Sequence, residues 1–332
     1  CGDVDGTGAT GRCEQRHEGA TKYRSHCLRR SSSEYHRINF NGNQGVRRMD
    51  LSEAHKAAAM PHWDARLELA YARRGERTVL AHREHRGPLR VQRDLYPEGE
   101  GTCHTIVVHP PGGIAGGDRL ALDVRLGAES RALLTTPGAG KWYRSEGAAA
   151  GQLLAFDVEA GASLEWLPME SIVFNGAVAD MQTTVNLADG AAYLGWEILC
   201  LGRTASGERF AKGRLSTRTE LRRDGRRLWL EQGRLDGDDP LMHSPVGLAG
   251  HTVCGTLLAA GRDVSDELLA ACRAVPAGDG ALGGITRLPD VCVARWLGDA
   301  SEDARRWFAG LWTLLRPALH GGLAQAPRIW ST

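Results

Sequence analysis

A chain of 332 residues and 35.9 kDa, 42% hydrophobic and 24% charged, carries enough apolar side chain for a substantial core, which excludes a polymer disordered throughout. Its 41 Lys and Arg against 40 Asp and Glu leave a formal charge of +1, so no global field draws it to nucleic acid or an anionic membrane. No apolar run approaches the ~18 residues of a membrane span and no secretory pattern is seen, which makes the cytoplasm the expected compartment.

Residues 1–59 begin at Cys1, are rich in Gly, Ser, Arg, His and Asn, and read as a disordered N-terminal extension; residues 60–332 read as one β domain. Met49 and Met60 are both credible starts, so the upstream stretch is readable as translated non-coding sequence. Within it, Ser52 can cap a short helix ending at Ala59. From Leu67 the dominant period is two, in Leu67, Leu69 and Tyr71 and again from Leu153 to Val158, which predicts strands. The segments LDVRLGAESRALL, FDVEAGASLEWL and TVNLADGAAYLGW repeat one strand, turn, strand pattern. Their turn glycines, Gly127, Gly161 and Gly190, are spaced 34 (161−127) and 29 (190−161) residues apart. Such spacing predicts layered or solenoid strands, though three successive hairpins of a sandwich fit the same pattern. Two helices come late. Ser265 is predicted to cap DELLAACRAV, and Ser301 to cap EDARRWFAGLWTLLR, with Trp307, Leu311, Leu314 and Leu315 on a core-facing side and Pro317 stopping the helix. The fold class is thus mainly β, with layered or solenoid (β-helix-like) strands and a few helices, the clearest near the C-terminus.

Several segments suggest chemistry and fail on spacing. TTPGAGKWYRS resembles the end of a phosphate-binding loop, but the first glycine of that motif would fall at Thr135 and its hydroxyl position is Trp142. Cys103, His104 and His109 look like metal ligands. In an extended strand, however, His104 faces away from the other two, and Cys103 and His109 lie about 20 Å apart at ~3.3 Å per residue, so a structural role is expected for each. HPPGGIAGGD, from His109 to Asp118, combines two prolines with four glycines and reads as a rigid loop or the wall of a passage. The eight cysteines stand singly, with no CxxC pair, and read as small buried hydrophobes. Neither a GxSxG elbow nor an HExxH helix occurs, so no enzyme is expected.

The carboxylates carry more. Glu197 lies in AAYLGWEILC, a strand apolar on both faces, where its charge needs a partner, a proton, or a wet or cation-bearing cavity. Glu231 in LWLEQ shares a strand face with Trp229, and Glu170 follows LEWLP. Each is equally readable as a member of a structural ion pair, with Arg203 or Arg295 as partner.

The string GPLRVQRDLYPEGEGTCHTIVVHPPGGIAGGDRL, followed by LTTPGAGKWYRS, LEWLPMESIVFNGA, WEILCLGR and the terminal PRIW, resembles urease accessory proteins of the UreD/UreH family over about Pro61 to Thr332. The resemblance implies a mainly β fold, complexes with UreF and the GTPase UreG as a dimer of heteromers through UreF, and docking of that assembly on apo-urease. It also implies that no cofactor is tightly bound, and that Ni2+ passes through an internal tunnel to urease, whose site needs a lysine carbamylated by carbon dioxide. By position, the family's tunnel-associated acidic sites fall on Asp118, Glu197 and Glu231, while Met169, Asn175 and Gly140 depart from the residues common there. A scaffold that conducts nickel is therefore expected, with a pure assembly scaffold as the alternative.

Overall fold

The computed structural model describes residues 62–331. The extension, its short helix, both candidate starts, and Cys1, Cys13 and Cys27 lie outside the described residues.

The chain winds as a β-solenoid of about four turns. The first turn contains β1 (Asp64–Arg74), its hairpin partner β2 (Arg77–Arg86), β3 (Arg90–Val91), β4 (Cys103–Val108) and β5 (Gly113–Ile114). The next two turns repeat a long, a medium and a short strand: β6 (Arg119–Leu126), β7 (Arg131–Thr135) and β8 (Gly140–Trp142), then β9 (Ala150–Val158), β10 (Ser163–Leu167) and β11 (Ser171–Val173). The last turn has β12 (Val178–Leu187), the long β13 (Ala192–Leu201), β14 (Arg214–Arg223) and its hairpin partner β15 (Arg226–Asp236). Then follow β16 (Val253–Ala260), α1 (Asp266–Arg273), β17 (Leu282–Leu288), β18 (Val291–Gly298) and α2 (Ser301–His320).

Two sheets result. One runs β15-β14-β12-β9-β6-β1-β2, parallel except for the terminal hairpin strands. The other runs β17-β18-β16-β13-β10-β7-β4-β3, with β5, β8 and β11 forming a narrow third side. The predicted alternation is real: in β1, Leu67, Leu69 and Tyr71 are buried, and in β6 every second residue from Leu120 to Leu126 is buried. The period-two strand cannot bury its apolar face alone, so each coil stacks on the next.

The turn register differs from the sequence reading. Leu126 pairs with Val158, and Val158 with the level of Leu187, so Gly161 and Gly190 are equivalent to Glu129 rather than to Gly127. All three share the left-handed conformation, φ 60° at Glu129, 66° at Gly161 and 68° at Gly190. The turn geometry is what repeats, and one coil accepts a non-glycine there.

β13 is buried on both faces, as predicted. Tyr193, Leu199 and Leu201 face the solenoid interior, while Trp196, Ile198 and Cys200 join a second core beneath α2. That core takes Trp307, Phe308, Leu311, Leu315 and Leu319 from α2, with Leu314 only at its edge. Phe308 lies so close that a Cβ on Gly255 would fall 2.6 Å from its ring. Ser265 caps α1 as predicted, accepting from Leu268 N–H at 3.2 Å. Ser301 does not cap α2; it is the first helical residue, after an Ala300 that makes no side-chain cap, and Glu302 and Asp303 favour the helix start electrostatically. Nor does Pro317 stop the helix, which continues to His320 and ends at Gly321, φ 66°. Burial of Leu319 and the anchoring of Arg316 between Glu98 and Glu165 offset the roughly 3 kcal/mol that an interior proline costs.

Candidate functional site

The inward-facing residues stack in register, and at one level they leave a space. On the first sheet, Leu122, Leu154, Thr183, Thr219 and Glu231 are successive pairing partners across β6, β9, β12, β14 and β15. On the second, Glu197, Thr256, Arg295 and Gly284 are partners across β13, β16, β18 and β17. Both rows line a single cavity of about 880 Å³ between the sheets. At about 4.8 Å per strand, the first row alone spans ~19 Å, so the cavity follows the solenoid axis as a lumen. Towards the coil turns the interior is filled instead, with Phe156 packed against Trp166 and Tyr193 at centroid distances of 5.7 and 6.3 Å.

The lining changes character along its length. Leu122 and Leu154 give way to Thr183 and Thr219 and then to Glu231, opposite Glu197. Gly195 contributes by lacking a side chain: a Cβ there would fall 2.1 Å from the Tyr193 hydroxyl, so the ring can fold along its own strand beside the lumen. The Tyr193 phenol is pushed up by burial and by the Glu197 charge.

The Glu197 backbone pairs with Thr256 in the sheet, while its side chain has no hydrogen bond or ion pair among the described residues. Burial, and then the neighbouring Glu231 charge, raise its carboxyl to about 7. Glu231 is different: Arg295 Nη1 donates to its Oε1 at 2.6 Å and also reaches Thr256 Oγ1 at 3.4 Å. The expected pair with Arg295 is therefore made by Glu231, while Arg203 holds Glu208 at 2.7 Å. Cys254, in the same lining, is pushed up to about 12 by burial and both carboxylates, which keeps its thiol protonated.

The structure brings Glu197 and Glu231 together and leaves Asp118 apart. Asp118 does not line the lumen. Its carboxylate accepts the Trp63 N–H at 2.7 Å and the Ala115 N–H at 2.8 Å, closing the loop that begins at His109. Glu170 stands between the lining residues Met169 and Ser171 without lining the lumen itself. Cys103 and His104 are buried apart from the lumen: His104 Nε2 lies 2.5 Å from Glu98 Oε1, and the Cys103 thiol is pushed up to about 11 by burial. His109 does line the lumen. Among the described residues, no group of three or more His, Cys, Asp or Glu side chains is placed to hold a metal ion. Sequence reasoning missed the threonine row; its signal is a polar residue recurring at inward positions of successive coils.

A match to the family described as UreD urease accessory protein spans residues 64–331, from the first residue of β1 to the last described residue. A urease accessory protein UreD of Dechloromonas aromatica is 58% identical over 275 residues, covering 82% of this chain and 96% of that protein. This chain belongs to the UreD family. Further UreD relatives are 56% identical over 283 residues in an Azoarcus species, covering 85% of this chain and 98% of that protein, and 53% identical over 273 residues in Pseudomonas aeruginosa, covering 82% and 96%. UreD proteins are accessory proteins rather than enzymes. No helix of the described residues is long and apolar enough to cross a membrane.

Proposed function

We propose that this chain serves urease maturation in the cytoplasm as a scaffold that recruits UreF and the GTPase UreG to apo-urease and conducts Ni2+ through its lumen. The observation that carries this reading is Glu197, a carboxylate without a cationic partner facing a lumen that follows the solenoid axis. A transit path needs weak, partly hydrated sites that bind and release, and Ni2+ accepts carboxylate, imidazole and water. Two carboxylates at one end of a threonine-lined wall supply such a site, whereas a closed set of four ligands would retain the ion. Glu231 serves as a second carboxylate once Arg295 yields it, and Asp118 acts from behind the wall through its charge.

The test is Glu197→Gln, which keeps shape and hydrogen-bonding capacity and removes the charge. Co-expressed with urease and its accessory proteins, the variant is expected to fold and enter the complex while the recovered urease holds little nickel. Normal nickel per urease active site would remove Glu197 from the path. A pure assembly scaffold is favoured by one observation, that two of the three carboxylates are committed, Asp118 to backbone amides and Glu231 to Arg295. On that reading, lumen substitutions leave nickel loading unchanged and only surface substitutions that weaken the complex reduce it.

A further inference from the structure

We propose that His109 is a second cation station, at the end of the lumen away from Glu197 and Glu231, where its Nε2 takes a borderline divalent cation such as Ni2+; this rests on the conduit reading above. His109 directly follows β4, while Glu197 lies three strands further along the same sheet, so the two are separated by ~14 Å at about 4.8 Å per strand. Both line the same cavity.

The backbone that carries the ring is held in place. Pro110 and Pro111 follow it, and its carbonyl accepts the Gly112 N–H at 2.8 Å in a tight turn. Its Nε2 is buried and has no hydrogen-bond partner. A buried polar atom left unsatisfied costs about 1–3 kcal/mol unless water or an ion completes it. Among the described residues, four other side chains share that condition, and none fits a cation in the lumen. The indole nitrogens of Trp142 and Trp229 only donate, Arg223 is itself a cation, and His320 sits outside the lumen lining near the Arg316 charge. His109 is thus the one described lining residue with an orphan nitrogen that can act as a ligand.

Its surroundings suit brief occupancy. Burial lowers the imidazole, keeping it neutral and its lone pair available, while the nearby Asp118 charge pulls the other way and attracts a cation without leaving its own amide partners. Lys141, on β8 beside β5, also lines this end and opposes long residence. One neutral ligand with a carboxylate behind it and an ammonium nearby binds weakly, as a relay requires.

The experiment has two readouts. NiCl2 is titrated into the purified full-length chain while imidazole ring resonances are followed by NMR, with His109→Gln used for assignment. The expected result is selective paramagnetic broadening of His109 before that of the buried His104 and His320. In parallel, His109→Gln and Glu197→Gln are co-expressed with urease and its accessory proteins at limiting nickel. His109→Gln is expected to lower nickel per urease active site at least fivefold with unchanged complex recovery, and His109→Cys, which restores a ligand, to recover part of it. If Glu197→Gln lowers nickel and His109→Gln does not, this inference fails and the conduit stands. If neither variant changes nickel loading, the conduit reading fails with it. Should His109→Gln not fold, the titration of the parent decides: a His109 ring unperturbed at millimolar Ni2+ overturns the proposal.

Discussion

Glu197 is the residue whose environment makes the sharpest demand. Its folded carboxyl titrates near 7 against an ordinary value of 4.5, so the folded state binds the proton more tightly than the unfolded chain. The stability this contributes is fully present below about pH 4.5 and is lost as pH rises through about 7. The lumen gives the side chain some access to water, which places the penalty at neutral to alkaline pH at about 1–3 kcal/mol. Glu197→Gln should therefore unfold about 2–6 °C above the parent at pH 8 and at the same temperature at pH 4, checked by calorimetry. A lower melting point at pH 8 would mean that the carboxylate has a cationic partner after all. The opposite sign is expected at Arg316, which is fully buried and holds Glu165 at 3.0 Å and Glu98 at 2.5 Å. Arg316→Met leaves the buried Glu165 without its cation and Glu98 with His104 alone, and should lose about 3–5 kcal/mol in urea unfolding. The special position of Glu197 was legible because its strand is apolar on both faces, whereas the pairing of Glu231 with Arg295 depends on strands 64 residues apart and could be read only as one of several options.

At the scale of elements, α2 ties the second sheet to its core. Trp307 is 4% exposed, and its indole donates to the Val275 carbonyl at 3.0 Å, so Trp307→Ala should lose about 3–5 kcal/mol of unfolding free energy. A loss below about 1 kcal/mol would place that face at a surface available to partners. The helix itself was legible from the spacing of Trp307, Leu311 and Leu315. Its ends were not, because the packing of Leu319 and the ion pairs of Arg316 carry the helix past Pro317, and those contacts come from β10 and from the segment before β4. The turns show the same limit. The glycine pattern exposed the repeat, but strand register, not composition, makes Glu129 the equivalent of Gly161 and Gly190.

At the scale of the whole molecule, alternation repeated over successive coils pointed to a solenoid, and the resemblance implied an internal tunnel, while the rows that line the lumen stayed hidden. A cavity is a property of facing rows, and the sequence separates Thr183 from its partner Thr219 and both from Thr256 opposite. The family match begins at residue 64, so a chain starting at Met60 is expected to melt with the full-length protein and to support urease activation equally; an insoluble or inactive product would make the upstream residues part of the domain. The most direct test of the proposed conduit is to obstruct the lumen midway. Thr183 lies on the central strand β12 with its partners Leu154 and Thr219 in the same lining, and Thr183→Trp places a large ring there without touching a carboxylate. Nickel per active site is then measured in urease co-expressed with this variant, alongside recovery of the accessory complex. The account predicts at least a tenfold loss of nickel with complex recovery unchanged; full nickel loading past the obstructed lumen would contradict it.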